Sequence, residues 1–327
     1  MPDLVSQAGL LIKGTAAKAS EVFDEQGELA NVVIPSFFKV RTDDGGQYNV
    51  TGLSGPGVLV KRSESGSYSA GRRYKTRDTN YVHSTYSKEL EVSMEQLQDR
   101  DFDNVWDEIR QLRKSADFWK QFAAFQVFNG GFNTTVAING VDLTRYGDAL
   151  PLFSTVHTRA DGGATQSNAS STSIPFNEAN LETGLIAMKE QLLDDGTPIR
   201  DLGRISIVVP HNLDKTAAII VGSSLKPSTA NNDVNVYNTG MYDVVSSHLL
   251  AAVTGRAGGA TGNDTAWFVV AENLSKLLYV NRLAPQLTSE RTVSGGMKFK
   301  VDVRLSVGHS HWLGTWGTQG TGASYSS

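Results

Sequence analysis

The chain has 327 residues, a formal net charge of −4, 39% hydrophobic and 20% charged residues, and no cysteine. This length can bury one large core or two smaller ones, and the composition excludes an intrinsically disordered protein. The absence of cysteine excludes disulfides, thiolate metal sites and cysteine nucleophiles, and it is typical of a reducing compartment. The negative net charge argues against a protein whose main function is to bind nucleic acid.

The first residues are not expected to act as a signal peptide. Asp3 precedes a short apolar cluster, Leu10–Ile12, without the basic start and long apolar core of a signal peptide. No apolar run approaches the roughly 20 residues that cross a bilayer. We therefore expect a soluble chain that is made inside a cell and has no membrane partner.

Residues 1–35 predict an arm, because their apolar residues are too few to form a core alone. The expected elements are one short helix near Ala16–Phe23 and, after Pro35, a first strand at Ser36–Arg41.

Residues 45–92 begin glycine-rich and continue as a polar run of β-forming residues. From residue 81 onwards the pattern alternates, which predicts a strand. One parity holds Val82, Tyr86, Leu90 and Val92, and the other holds Tyr81, His83, Thr85, Ser87, Glu89 and Glu91. Because Arg72, Arg73, Lys75 and Arg77 crowd the start of the run, we expect neither face there to be buried in its own domain. An isolated hairpin is marginal in water, so this one is expected to rest on a neighbouring subunit; a flexible surface loop is the alternative.

Residues 101–129 predict a helix of roughly 40 Å. Apolar residues recur at helical spacing, and Asn129–Gly131 ends the pattern, with glycine suited to the C-terminal cap. Trp119 and four phenylalanines (Phe118, Phe122, Phe125, Phe128) make the helix apolar on nearly all sides in its second half. Such a helix needs cover around most of its circumference.

The second half predicts a mixed α/β domain. Its expected elements are helices near Leu181–Leu192 and Leu213–Val221, and strands at Ile205–Val209, Val244–Val245 and Trp267–Ala271. The clearest β signal is Lys298–Val307, which alternates strictly and follows a turn at Gly295–Gly296 and a partner strand near Gln286–Val293.

None of the polar clusters predicts an enzyme or a metal or cofactor site. His309 and His311 sit two apart without a nearby carboxylate, and His157 and His248 lack a serine or cysteine partner. The glycine-rich stretch Gly255–Gly262 lacks the Lys-Ser/Thr ending of a phosphate-binding loop, so a flexible hairpin loop is expected. Asp194, Asp195 and Asp201 match no calcium loop and are interpreted as a solvated turn.

A series of segments nevertheless resembles one family, the HK97-like major capsid proteins of tailed bacteriophages. The series runs through Pro151–His157, Asp195–Ile199, Ile205–Pro210, Thr216–Val221, Asn231–Asn235, Trp267–Val270 and His311–Gly314. The resemblance implies an α+β fold with an N-terminal arm (1–35), an extended β-hairpin called the E-loop (50–92), a P domain with a spine helix and a β-sheet, and a mixed α/β A domain (133–283). The P domain would comprise its first strand (36–49), the spine helix region (93–132) and return strands (284–316), before a flexible tail (317–327).

The resemblance also implies a function. Subunits of that family form hexamers and pentamers that tile an icosahedral shell around double-stranded DNA, in a virion assembled in the bacterial cytoplasm. Expected partners are other copies of the chain, a separate scaffolding protein, a portal and a decoration protein, with no sequence-specific DNA binding. Candidate intersubunit contacts are Arg72, Arg73, Lys75, Arg77, Tyr81, Tyr86, Trp106 and Trp119. The alternatives are an encapsulin-type nanocompartment shell of the same fold and an α/β enzyme with an unusual β-arm.

Overall fold

A computed structural model describes residues 4–29, 34–55, 57–71, 73–99, 102–225, 234–252 and 262–321. Within these ranges the chain forms five α-helices and three β-sheets of six, four and two strands. None of the helices in the described part combines the length and apolar character that a membrane crossing requires.

Two long helices pack side by side. Helix α1 spans Leu4–Leu29, so the predicted short helix of the arm is in fact 26 residues long. It is stabilised by burying Ala19, Val22 and Phe23, which recur on one face of the helix. Helix α3, Phe102–Asn129, confirms the predicted long helix. The short helix α2, Met94–Gln98, precedes it and begins with a capping box.

The glycines after α3 do not end it through a left-handed conformation, because neither has a positive φ. They instead permit close packing. A Cβ atom at Gly131 would lie 2.6 Å from the Phe153 ring, and one at Gly130 would lie 2.7 Å from Ile138.

The largest sheet covers α3. Its strands are β1 (Lys39–Thr42), β4 (Ser84–Val92), β5 (Ala137–Ile138), β6 (Val141–Thr144), β10 (Leu277–Arg291) and β11 (Met297–His309). The long hairpin of β10 and β11 turns at Gly295, where φ is +91°, and this confirms the predicted pairing and turn. Phe299, Val301 and Val303 on β11 are buried in the same core as α3. The first strand was expected at 36–41, and β1 begins three residues later.

The end of the predicted E-loop lies in this sheet. Strand β4 pairs antiparallel with β11 along its full length, so residues 84–92 are not a free hairpin. The predicted alternation of buried and exposed side chains is also wrong at residues 81–83. Val82 was grouped with the apolar parity but is exposed, whereas Tyr81 and His83 are buried. The reason is a break between two strands. Strand β3 (Thr79–Val82) pairs instead with β2 (Gln47–Val50), and the inward parity changes at His83.

The four-stranded sheet lies between two short helices on one face and the end of α3 on the other. Its strands are β7 (Ile205–Pro210), β8 (Tyr242–Ser247), β9 (Trp267–Ala271) and β12 (Thr315–Thr318), in the order β12-β9-β7-β8. Alternate residues of β7 and β9 face α4 (Glu178–Lys189) and α5 (Asp214–Gly222), and the others face the end of α3. Burial on both faces explains the continuous apolar run of β7. The predicted strands and helices of this region are confirmed, and His248 lies in a short 3₁₀ turn directly after β8.

The predicted unit of residues 133–283 divides its strands between the two larger sheets. Strands β5, β6 and the start of β10 join the sheet that covers α3, whereas β7, β8 and β9 form the four-stranded sheet. The sequence spacing predicted β7, β8 and β9 but not β5, β6 or the start of β10, and it could not show with which sheet each strand pairs. Most of the glycine-rich stretch Gly255–Gly262 lies outside the described residues.

Candidate interaction surface

The segment between β2 and β3, residues 51–78, is the extended loop of this chain. It leaves the body of the protein as two strands of backbone joined by a bridge between Leu53 and Lys75. Hydrogen bonds from Ser54 N–H to the Tyr74 carbonyl (2.8 Å) and from Thr76 N–H to the Gly52 carbonyl (2.9 Å) extend this pairing. The irregular backbone therefore has a hairpin-like base, although its described part forms no regular ladder beyond this point.

Two of the predicted contact residues stabilise that base within the subunit. Lys75 Nζ donates to Asp78 Oδ2 (2.8 Å), and the same carboxylate accepts from Thr51 Oγ1 (2.6 Å). These hydrogen bonds, led by that from Lys75, lower the pKa of Asp78. Arg77 donates to the Gly147 carbonyl (3.0 Å) and to Thr158 Oγ1 (3.3 Å). Arg77 thus anchors the loop to the segment after β6.

The far part of the extended loop exposes apolar side chains. Val58, Leu59 and Val60 are 63%, 98% and 67% exposed, and Tyr68 is 84% exposed. The Arg62 guanidinium lies 4.4 Å from the centroid of the Tyr68 ring. A contiguous apolar segment in water is unfavourable, and its exposure in a single chain indicates an interaction surface.

The structure corrects the expectation that Tyr81 faces a neighbouring subunit. Its side chain is fully buried between the small β2–β3 sheet and β10, where it packs with Leu278 and Val280. Burial raises the pKa of Tyr81 well above its usual range. The tyrosine therefore joins the extended loop's second strand to the large sheet.

Tyr86 and Trp119 lie together at the edge of the large sheet. Their ring centroids are 5.1 Å apart, and the Tyr86 hydroxyl accepts the Asp142 N–H (3.2 Å). Burial raises the pKa of Tyr86. Both side chains line a groove of about 630 Å³ between α3 and β4, which is named the edge groove here. Its lining consists of Thr85–Lys88, Ser115, Ala116, Phe118, Trp119, Phe122, Val301 and Val303.

The other candidates lie apart from this groove or outside the described residues. Trp106 is partly buried and stacks on Phe102, with ring centroids 5.9 Å apart. Arg73 is exposed on the extended loop, and Arg72 is outside the described residues. The structure therefore brings together Tyr86 and Trp119, and it separates both from Arg73, Lys75 and Arg77 in the loop.

Buried histidines pair with aspartates where the two larger sheets meet. His157 Nδ1 lies 2.9 Å from Asp148 Oδ2, and its Nε2 lies 3.2 Å from the Leu152 carbonyl oxygen. His311 Nε2 lies 2.9 Å from Asp194 Oδ2. Asp194 is buried, which corrects the interpretation of this residue as part of a solvated turn. Burial would raise the pKa of Asp194, but the hydrogen bond and charge of His311 outweigh it and lower that pKa.

His309 is buried near these pairs. Burial is the main cause that lowers the pKa of His309 to about 3, and the charge of Arg145 acts in the same direction. Among the described residues, no group of three or more histidine, aspartate or glutamate side chains has an arrangement that could hold a metal ion. The hydrogen bonds of His157 to Asp148 and of His311 to Asp194 join residues that are 9 and 117 positions apart in the sequence.

Sequence reasoning missed the edge groove, the apolar part of the loop and the His–Asp pairs. Val58–Val60 did carry a signal, since three consecutive apolar residues follow a glycine-rich stretch. The pairs carried none, because Asp148 and Asp194 are 9 and 117 residues from their partners.

No family model and no curated protein matches this chain. Among solved structures, 182 chains match. The capsid of Ralstonia phage GP4 is 11% identical, with 86% of each chain covered and a TM-score of 0.51. The capsid of Cyanophage P-SCSP1u is 11% identical, with 88% of this chain and 87% of that chain covered and a TM-score of 0.50. The virus-like particle from Pyrococcus furiosus is 10% identical, with 92% and 98% covered and a TM-score of 0.48.

The likeness to the two phage capsids extends over most of the chain. It confirms the predicted α+β, HK97-like fold of tailed-phage capsid proteins. At this level of identity the likeness concerns the fold.

Proposed function

We propose that the chain is the major capsid protein of a tailed bacteriophage. Copies of it would form hexamers and pentamers that assemble into an icosahedral shell enclosing double-stranded DNA. The proposal rests on one observation above others: an HK97-like fold carries an extended loop whose apolar residues Val58–Val60 are left exposed by their own subunit. Burial of such a segment in a neighbouring copy would supply hydrophobic stabilisation to the shell.

The regions of the fold are assigned by the same proposal. The E-loop would comprise residues 51–78, shorter than the 50–92 expected from sequence, because β4 belongs to the large sheet. The large sheet with α3 would form the P domain, and the four-stranded sheet with α4 and α5 would form the A domain. The role is structural and requires no catalysis or cofactor.

The net charge of the chain favours a shell that encloses DNA over a protein that binds DNA tightly through positive charge. With a formal net charge of −4, a shell would hold DNA without strong attraction from every subunit. The partners implied by the fold are other copies of the chain first, and then a scaffolding protein, a portal and a decoration protein. Assembly would take place in the cytoplasm of the host bacterium, and the finished protein would reside in the virion.

Electron microscopy and analytical ultracentrifugation of the purified chain test the shell. We expect capsomers or closed hollow particles, whereas a chain that stays monomeric at all concentrations contradicts the proposal. Particles isolated from the natural source decide what the shell encloses. Nuclease-protected double-stranded DNA supports a phage head, and an enclosed enzyme would instead identify a nanocompartment.

A further inference from the structure

A small cavity lies where the C-terminal end of α3 meets the ends of β6 and β11. It leaves about 10 Å³ for the centre of a water-sized sphere, which is room for one water molecule. Seven of its nine lining residues are buried, so bulk solvent has little access to it. The lining consists of Val127, Gly130, Gly131, Leu143, Thr144, Arg145, Leu152, Gly308 and His309.

The composition of the lining makes this cavity polar. Three of its residues are glycines, so at these positions the backbone borders the space without a side chain. Gly308 also permits close pairing with β6, because a Cβ atom there would overlap the Thr144 carbonyl oxygen. Internal cavities that stay dry are lined by apolar side chains, whereas a cavity bordered by peptide groups and a guanidinium favours water.

Two polar side chains of the lining each have a buried nitrogen without a hydrogen-bond partner among the described residues. These nitrogens are Arg145 Nη1 and His309 Nε2. The two groups are close in space, because the charge of Arg145 adds to burial in lowering the pKa of His309. Buried polar atoms in folded proteins are almost always hydrogen-bonded to protein or to ordered water, so both nitrogens call for a partner.

The other end of the Arg145 guanidinium caps α3. Its Nη2 donates to the carbonyl of Gly130 (3.3 Å) and to the carbonyl of Thr135. Gly130 directly follows the last residue of α3, so the positive charge lies at the negative end of the helix dipole. These contacts fix the position of the guanidinium, and Nη1 is fixed with it at the cavity.

The chemistry of the two nitrogens decides what fits between them. A guanidinium only donates hydrogen bonds, whereas a neutral imidazole accepts one at its unprotonated nitrogen. His309 is neutral at pH 7, because its pKa is about 3. A water molecule accepts from Arg145 Nη1 with its oxygen and donates to His309 Nε2 with one of its protons. A halide ion would only accept, and it would therefore require a proton on Nε2.

We propose that this cavity binds one water molecule, which accepts a hydrogen bond from Arg145 Nη1 and donates one to His309 Nε2. His309 then carries its proton on Nδ1. The water links the guanidinium that caps α3 to the end of β11, and it completes the hydrogen bonding of both side chains. The site lies within one subunit, so it is independent of the proposed function.

A crystal structure of the purified chain, at a resolution that shows ordered water, tests the site directly. We expect one density peak within about 2.7–3.2 Å of both Arg145 Nη1 and His309 Nε2. A cavity without such a peak overturns the proposal. A halide ion at the same place also overturns it, and anomalous scattering from crystals soaked in bromide would reveal that ion.

Nitrogen-15 NMR of the histidine rings provides a second readout in solution, with His309→Gln to identify the signals of His309. We expect the parent chain to hold the His309 proton on Nδ1, and a proton on Nε2 would overturn the proposal. Arg145→Met removes the donor to the water and should shift the proton of His309 towards Nε2. Arg145→Lys retains a donor and should preserve the parental tautomer.

The matched control is Arg282→Met, which changes a partly exposed arginine outside the cavity lining. It should leave the tautomer of His309 unchanged. If Arg145→Met melts at a lower temperature but keeps the parental tautomer, Arg145 acts only as a cap of α3 and the water bridge is wrong. If Arg145→Met fails to fold, the tautomer of the parent chain and the density peak in its crystals decide the question.

Discussion

The imidazole of His157 lies flat against the indole of Trp312, with ring centroids 4.7 Å apart and planes at 8°. Trp312 belongs to the short connection between β11 of the large sheet and β12 of the four-stranded sheet. His157 belongs to the segment after β6 that receives Arg77 from the extended loop. One stacked pair therefore lies where the loop anchor and the two sheets meet.

Removal of the Asp148 carboxylate should destabilise this junction. Asp148→Ala leaves a buried His157 nitrogen without its partner, since both side chains are only 1% exposed. Leaving a buried hydrogen-bonding group without its partner costs about 1–3 kcal/mol of unfolding free energy. Chemical denaturation of the unassembled chain measures the loss.

The control for Asp148→Ala is Asp107→Ala on the surface of α3. Asp107 pairs with Arg110 at 2.6 Å, but both side chains are well exposed. Its loss should change stability by less than about 1 kcal/mol. If the two variants lose similar amounts of unfolding free energy, the buried His157–Asp148 pair stabilises the protein no more than an exposed pair does.

His309 predicts a fall of stability in acid. Its pKa is about 3 in the folded protein, against the ordinary histidine pKa of about 6.5 in the unfolded chain, so between these pH values the unfolded chain binds a proton that the folded chain does not. The stability contributed by neutral His309 is complete above pH 6.5 and is lost as pH falls towards 3. Between these pH values, His309 lowers the free energy of unfolding by about 1.4 kcal/mol for each unit by which the pH falls.

The variant His309→Gln isolates this effect. Unfolding free energies of the parent and the variant, measured from pH 8 to pH 4, should run parallel above pH 7 and converge below pH 6.5. A constant difference across the whole range contradicts the assignment of the acid sensitivity to His309.

Two tyrosines near the loop should differ strongly in their effect on stability. Tyr81→Ala empties a fully buried site beneath β2 and β3, which costs about 3–5 kcal/mol. Tyr68→Ala changes an 84% exposed ring and should alter stability by less than about 0.5 kcal/mol. Thermal unfolding of the unassembled variants compares them. If Tyr81→Ala melts like Tyr68→Ala, the buried placement of Tyr81 is wrong.

Tyr81 also shows how far sequence reasoning extends. Periodicity predicted α3 and the β10–β11 hairpin, because their apolar residues follow a single regular repeat over many positions. It failed at Tyr81 and His83, because a strand break at His83 reverses the inward parity and no residue type signals such a break. It also expected too short an α1, because the packing of that helix against the core contributes to its stability and was not visible in the sequence.

The candidate surface was predictable in kind but not in detail. The unburied loop followed from its glycines, cations and polar β-forming residues. The anchoring role of Arg77 depends on Gly147 and Thr158, 70 and 81 residues away, and the groove depends on α3 passing over the edge of β4. Contacts between distant segments leave no local pattern, so one sequence alone does not predict them.

Arg77 should control how firmly the base of the extended loop is held. Arg77→Ala removes the hydrogen bonds to Gly147 and Thr158, and the base then opens more often. Chymotrypsin, which cleaves after Tyr68 and Leu59 on the loop, should therefore cut the unassembled variant several-fold faster than the parent. Arg73→Ala, at an exposed cation of the same loop, is the matched control and should be cut at the parental rate. If both variants are cleaved equally fast, the positive charge of the segment governs its accessibility, and the contacts of Arg77 with the body of the protein do not.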